Sequence, residues 1–94
     1  KKIYKCLINI KKEIDEDNFY IKDLDYFKDN LIKSGIGKVN YLEILREMDL
    51  AELTSIPSEC RIFISCNIQG VNVIDNFGLQ KVYLRENGNL RISS

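Results

Sequence analysis

Residues 60–93, CRIFISCNIQGVNVIDNFGLQKVYLRENGNLRIS, decide the fold. Short runs of alternating apolar residues are interrupted at Gln69-Gly70, Asn76-Phe77-Gly78 and Asn87-Gly88. The pattern predicts a meander of three or four antiparallel strands. Its last turn can be argued down to register. A two-residue Asn87-Gly88 loop would set Leu84 against Arg91 and Arg85 against Leu90, mixing the two faces. A three-residue Glu86-Asn87-Gly88 loop with Gly88 left-handed pairs Leu84 with Leu90 and Val82 with Ile92. Only the second gives one apolar and one polar face. Ile62, Ile64, Cys66 and Ile68 then point inward and Arg61, Phe63, Ser65 and Asn67 outward, with Val71, Val73 and Ile74 continuing the sheet.

Upstream, helical spacing begins. Leu24, Phe27 and Leu31 recur at i, i+3 and i+7, Asp23 is a candidate cap, and Ser34-Gly35 ends the run with Gly35 at the left-handed C′ position. Asn40-x-x-Glu43 reads as a capping box opening a second helix with an apolar stripe of Tyr41, Ile44, Leu45 and Met48. Asp49-x-x-Glu52 restarts a short turn, and Pro57 stops it. Residues 3–10, IYKCLINI, fit either a strand with Tyr4, Cys6, Ile8 and Ile10 on one face or a helix with the stripe Ile3, Cys6, Leu7, Ile10 and Ile14. Their β-branched and aromatic composition favours the strand. The expected order is β-α-α-β-β-β-β, an α+β fold with two helices packed on one face of an antiparallel sheet and a C-terminal meander.

The chain of 94 residues is sized for a single domain, 1–94, with one core and no need of disulfides. No apolar run approaches the ~20 residues of a membrane span, and the first residues lack a signal-peptide pattern. Fourteen basic residues balance fourteen acidic ones, unlike the clear excess of positive charge usual in a dedicated nucleic-acid binder. The charge is segregated: residues 1–12 hold five lysines and no acid, while residues 13–29 hold seven acids against Lys22 and Lys28. Such runs are commonly solvated faces. Lys, Ile, Asn and Tyr supply 38 residues, a bias expected of an AT-rich bacterial genome and its phages or other mobile elements. Cys6, Cys60 and Cys66 read as buried reduced thiols of a cytoplasmic protein.

Little in the chain points to catalysis. With no histidine, neither a Ser nor a Cys nucleophile has an imidazole base, and no zinc set can be assembled. Asp15-Glu16-Asp17-Asn18 begins like a calcium loop but continues with Phe19 and lacks the required Gly and distal Glu. The expectation is a non-enzyme with no metal and no cofactor.

Two stretches suggest binding. On the outer side of the terminal hairpin, Lys81, Tyr83, Arg85 and Arg91 are expected to cluster beside Phe63. Cations interleaved with aromatics anchor protein interfaces and also stack single-stranded bases. The second stretch is Ser34-Gly35-Ile36-Gly37-Lys38-Val39-Asn40-Tyr41, which resembles a helix–hairpin–helix turn. That resemblance implies sequence-independent contact with a nucleic-acid backbone through Gly35, Gly37 and Lys38. It departs from the motif at Tyr41, where a small residue is usual, and Asp23, Asp25 and Asp29 precede it. It is not a phosphate-binding Walker loop, since Ile32 replaces the first glycine and Val39 the Ser or Thr. The expected function is a small module that docks on another protein, an inhibitor or regulator from a phage or other mobile element. The alternative is nucleic-acid binding through the Gly35–Lys38 turn and the hairpin. Homodimerisation through sheet edges is a third expectation.

Overall fold

The computed structural model describes residues 2–93. Helix α1 (Lys2–Asp15) and helix α2 (Asp23–Lys33) precede four strands, β1 (Lys38–Arg46), β2 (Ser58–Ile68), β3 (Val71–Leu84) and β4 (Leu90–Ile92). The strands form one antiparallel sheet in the order β1-β2-β3-β4. The inner face of β2 carries Cys60, Ile62, Ile64 and Cys66, and all four are buried. Leu42 and Ile44 of β1 pair with Ile64 and Ile62, and Val73 and Phe77 of β3 pair with Cys66 and Ile62. Both helices lay their apolar stripes over this face. Ile3, Cys6, Leu7, Ile10 and Ile14 of α1 and Phe27 and Leu31 of α2 join one buried cluster with the strands. The fold is α+β, two helices on one face of a curled sheet.

The terminal register is the one the face argument selects. Val82 pairs with Ile92, Tyr83 with Arg91 and Leu84 with Leu90. Gly88 sits at φ 89°, and Arg85 N–H donates to Asn89 O at 2.9 Å across the three-residue loop. Gln69 and Gly70 both have positive φ, 52° and 84°, as a two-residue hairpin turn compatible with strand twist requires.

Three expectations are corrected. Residues 3–10 are helical and belong to α1, so the chain runs α-α-β-β-β-β. As a strand this segment would place Leu7 and Tyr4 on opposite faces with Tyr4 inside. As a helix it buries Leu7 completely and leaves Tyr4 exposed. The stripe continues to Ile14, and Lys11 pairs with Asp15 at 2.8 Å one turn on.

The second correction concerns the segment beginning at Asn40, which is strand β1 and not a helix. A helix there would draw Met48 into the core, yet Met48 is 95% exposed. Alternation wins because β2, apolar on its inner face from end to end, needs a partner on each side. The Asn40-x-x-Glu43 pattern caps nothing. Asn40 is instead the extra residue of a bulge between Val39 and Tyr41, and the 49–53 segment forms no helix.

Third, Asn76-Phe77-Gly78 is not a turn but the interior of a long β3. The Arg61 guanidinium lies against Gly78, 3.4 Å from where a Cβ would stand, which is ordinary van der Waals contact, so the glycine marks no turn and is not demanded by space. Beside it, Leu79 and Gln80 face Cys60 alone, a bulge that sharpens the curl.

At the helix side, Asp23 caps no downstream amide; its carboxylate accepts from Tyr20 N–H at 2.9 Å. The α1–α2 connection is fastened to the last hairpin. Tyr20 bridges Asn89, Leu90 N–H donates to Phe19 O, Ile21 N–H donates to Gly88 O, and the buried Asn89 amide donates to Phe19 O at 3.1 Å.

Candidate functional site

The helices cover one face of the sheet and leave the other open. Reading the register across the strands gives its rows: Tyr41–Ser65–Ile74, Glu43–Phe63–Asn76, Leu45–Arg61–Gly78, Glu59–Lys81 and Tyr83–Arg91. The first row is closed by amides. The bulged Asn40 donates to Ser65 Oγ at 3.0 Å and to Asn72 Oδ1 at 3.3 Å, and Asn67 donates to the same Asn72 oxygen. Ser65 points outward but lies buried beneath this network.

The next two rows hold a hollow of about 200 Å³ lined by Tyr41, Glu43, Leu45, Leu50 and Phe63. Phe63, Tyr41 and Leu45 are half-buried floor, and Leu50, 58% exposed, forms the rim. Leu50 has φ 56°, a left-handed conformation that L-residues other than Gly, Asn and Asp rarely adopt. A clamp holds it there. Arg46 donates to both oxygens of Asp49 (3.2 and 2.8 Å), Ala51 N–H donates to Asp49 Oδ1, and Leu50 N–H donates to Arg46 O. The Ala51 amide and the Arg46 guanidinium keep the Asp49 carboxyl below its usual range. Backbone strain held by a dedicated clamp, with its side chain turned to solvent, is the kind of feature that clusters at working surfaces.

The expected cluster of Phe63, Lys81, Tyr83, Arg85 and Arg91 does not form as one patch. Phe63 stands four residues along β2 from Glu59, the partner of Lys81, about 13 Å at ~3.3 Å per residue. Between them Arg61 lies flat, donating to Glu47 Oε1 and Asn76 Oδ1 at 3.0 Å each. Lys81 lines a separate cleft of about 470 Å³ with Arg46, Met48, Pro57 and Glu59 among its walls. Tyr83 is half-buried and Arg85 is exposed at the final turn. Arg91 is engaged within the molecule, its Nε 2.9 Å from Asp17 Oδ1. Tyr41 and Leu45 escape a sequence reading that puts them in the stripe of a helix, and Leu50 one that puts it in a short turn restarted at Asp49. The alternation of Leu42 and Ile44 with Tyr41, Glu43 and Leu45 was the signal for them.

The Gly35–Lys38 turn is also corrected. Gly35 takes φ 103°, and Ile36 N–H and Gly35 N–H donate to Leu31 O and Ile32 O at 3.2 Å each. This is a Schellman C-cap, and it buries Ile36. Gly37 lets the chain approach β2, for a Cβ would come within 3.0 Å of Asn67 O. The chain then enters β1, with Lys38 opposite Asn67. The turn therefore opens no second helix and presents no helix N-terminus to a phosphate.

Cys6, Cys60 and Cys66 are free thiols facing the core. Burial pushes Cys6 and Cys60 up to about 11, Cys6 further aided by Cys66, and burial also raises Cys66. Among the described residues, no group of three or more His, Cys, Asp or Glu could hold a metal ion, and no helix is long and apolar enough to cross a membrane. Set against known families, characterised proteins and solved structures, the chain matches none of them.

Proposed function

We propose that the protein is a non-enzymatic docking module, an inhibitor or regulator, that binds another protein through the open face of its sheet. The observation that carries this reading is Leu50, an exposed leucine held at φ 56° beside the half-buried Phe63. Unfavourable backbone geometry that raises an apolar side chain over an apolar hollow serves an anchor contact better than it serves folding. Lys81, Tyr83 and Arg85 lie further along the same face and supply residue types enriched at interfaces. The partner's contribution is an apolar side chain that enters the hollow, with a neighbouring cation to meet Glu43 on its wall.

The test separates anchoring from folding. A photo-crosslinker placed at Met48, on the rim of the face, identifies the partner in extracts of the source cell. Binding of that partner is then measured with Leu50→Asn, Phe63→Ala, Tyr83→Ala and Arg85→Ala. Asn tolerates the left-handed conformation, so Leu50→Asn is expected to raise stability by about 0.5–1 kcal/mol. The same variant is expected to weaken binding at least tenfold, as loss of an interface anchor does. Undiminished binding in all four variants would remove this face from the protein's function.

A further inference from the structure

We propose that two copies of the protein pair along the unpaired edge of β3, antiparallel and about a dyad at Ile74, to form one continuous eight-stranded sheet. β4 pairs only with Val82–Leu84, and Ser93 N–H reaches Lys81 O. Residues 71–80 of β3 therefore have β2 on one side and no described strand on the other. The other edges are partly covered: β1 by Ala51 and Glu52, β4 by Phe19 and Tyr20.

Edges are ordinarily blunted by lysine, proline, bulges or inward-pointing charges, and of these residues 71–78 carry only the last, Asp75 opposite Ile64. VNVIDNFGLQ has one charge, Asp75, and no proline or lysine. It leaves Val71 63% and Ile74 68% exposed. Glu47 N–H donates to Glu59 O, so odd-numbered β2 residues direct their amides to β1 and even-numbered ones to β3. Through the register, Val71, Val73, Asp75 and Phe77 bond to β2. Asn72, Ile74 and Asn76 turn N–H and C=O outward.

Those outward groups, together with charge, select the occupant and its register. A symmetric antiparallel pair must be centred on a single residue, or inward and outward side chains would be mixed. Centring on Asp75 sets two carboxylates against each other. Centring on Val73 sets Val71 against Asp75 and Ile74 against Asn72, and centring on Asn76 sets Ile74 against Gly78. Centring on Ile74 places Ile74 on its own copy, Val71 on Phe77, Asn72 on Asn76 and Val73 beside Asp75. That register covers both exposed apolar residues and opposes no like charges. On the inner face it also extends the Tyr4–Phe77 contact (ring centroids 6.5 Å apart) by Val71 of the second copy.

Light scattering across a wide concentration range is expected to give the mass of two copies, converting to one on dilution. Ile74→Lys, at an exposed position, is expected to stay single at every concentration with an unchanged thermal melt. A directly opposed hydrogen-bonded pair brings Cα atoms to about 5.5 Å, within disulfide reach. Ile74→Cys is therefore expected to oxidise to a covalent pair, and Asp75→Cys is not. A single-copy mass throughout, a pair that survives Ile74→Lys, cross-linking at position 75 in place of 74, or an edge that takes up an extended peptide while the chain stays single would each overturn the proposal. None of these results bears on the hollow at Phe63, which is tested by its own variants.

Discussion

At the scale of single residues, the three thiols show how position decides chemistry. Cys6 and Cys60 are nearly solvent-free, and burial disfavours the thiolate, so both titrate near 11 against an ordinary value of 9.0. The folded state thus holds protons that the unfolded chain releases first. Their contribution to stability is complete below pH 9.0 and is lost as pH rises through about 11. Urea unfolding over that window should show stability falling with pH. The Cys6→Ala, Cys60→Ala double variant should start lower, from lost packing, but fall less steeply. Equal slopes in the two proteins would mean that the thiols are not what titrates. Their burial is legible in the sequence for Cys60 and Cys66, which share the inner alternation of β2. It is legible for Cys6 under either reading of its segment.

At the scale of elements, the meander was readable at Gln69-Gly70 and Gly88, where local chemistry fixes the turn, and misread at Asn76-Phe77-Gly78, which lies inside β3. Gln69-Gly70 and Gly88 need positive φ, and the face argument then leaves one register. The two mistaken elements failed for opposite physical reasons. IYKCLINI has strand composition but a helical stripe, and the stripe prevails because it continues from Ile3 to Ile14 along a helix of fourteen residues. NYLEILREM has a helical stripe and a capping pattern. It becomes a strand because Leu42 and Ile44 complete the inner face beside Ile64 and Ile62. Tertiary demand of that kind is invisible in a local window. The hollow was missed with β1, since Tyr41 and Leu45 line it only when the segment is extended. A pair of substitutions separates the readings of the first element. Leu7→Ala should cost about 3 kcal/mol, as a fully buried leucine does, and the half-buried Ile8→Ala much less. In a strand with Ile8 inside, that order would reverse, and chemical denaturation of the two variants decides it.

For the molecule as a whole, strand order dictates where the structure opens first. β2 is bonded on both sides, to β1 from Lys38–Arg46 and to β3 from Val71–Val82, and the helices seal its inner face. Its amides can exchange only when a flanking strand or the whole fold opens. β3 is different, because along residues 71–80 only alternate amides face a described strand. In dilute solution hydrogen exchange should therefore be slowest at Ile62 to Cys66. Along β3 it should alternate, slow at Val73, Asp75 and Phe77 and fast at Asn72, Ile74 and Asn76. Raising the protein concentration should slow that fast set, Ile74 most, without altering β2, because a second copy adds bonds at the edge and none at the centre. Protection at Ile74 that is already high in dilute solution and indifferent to concentration would place some other cover on the edge. In that event the edge would not be the surface through which a second copy binds.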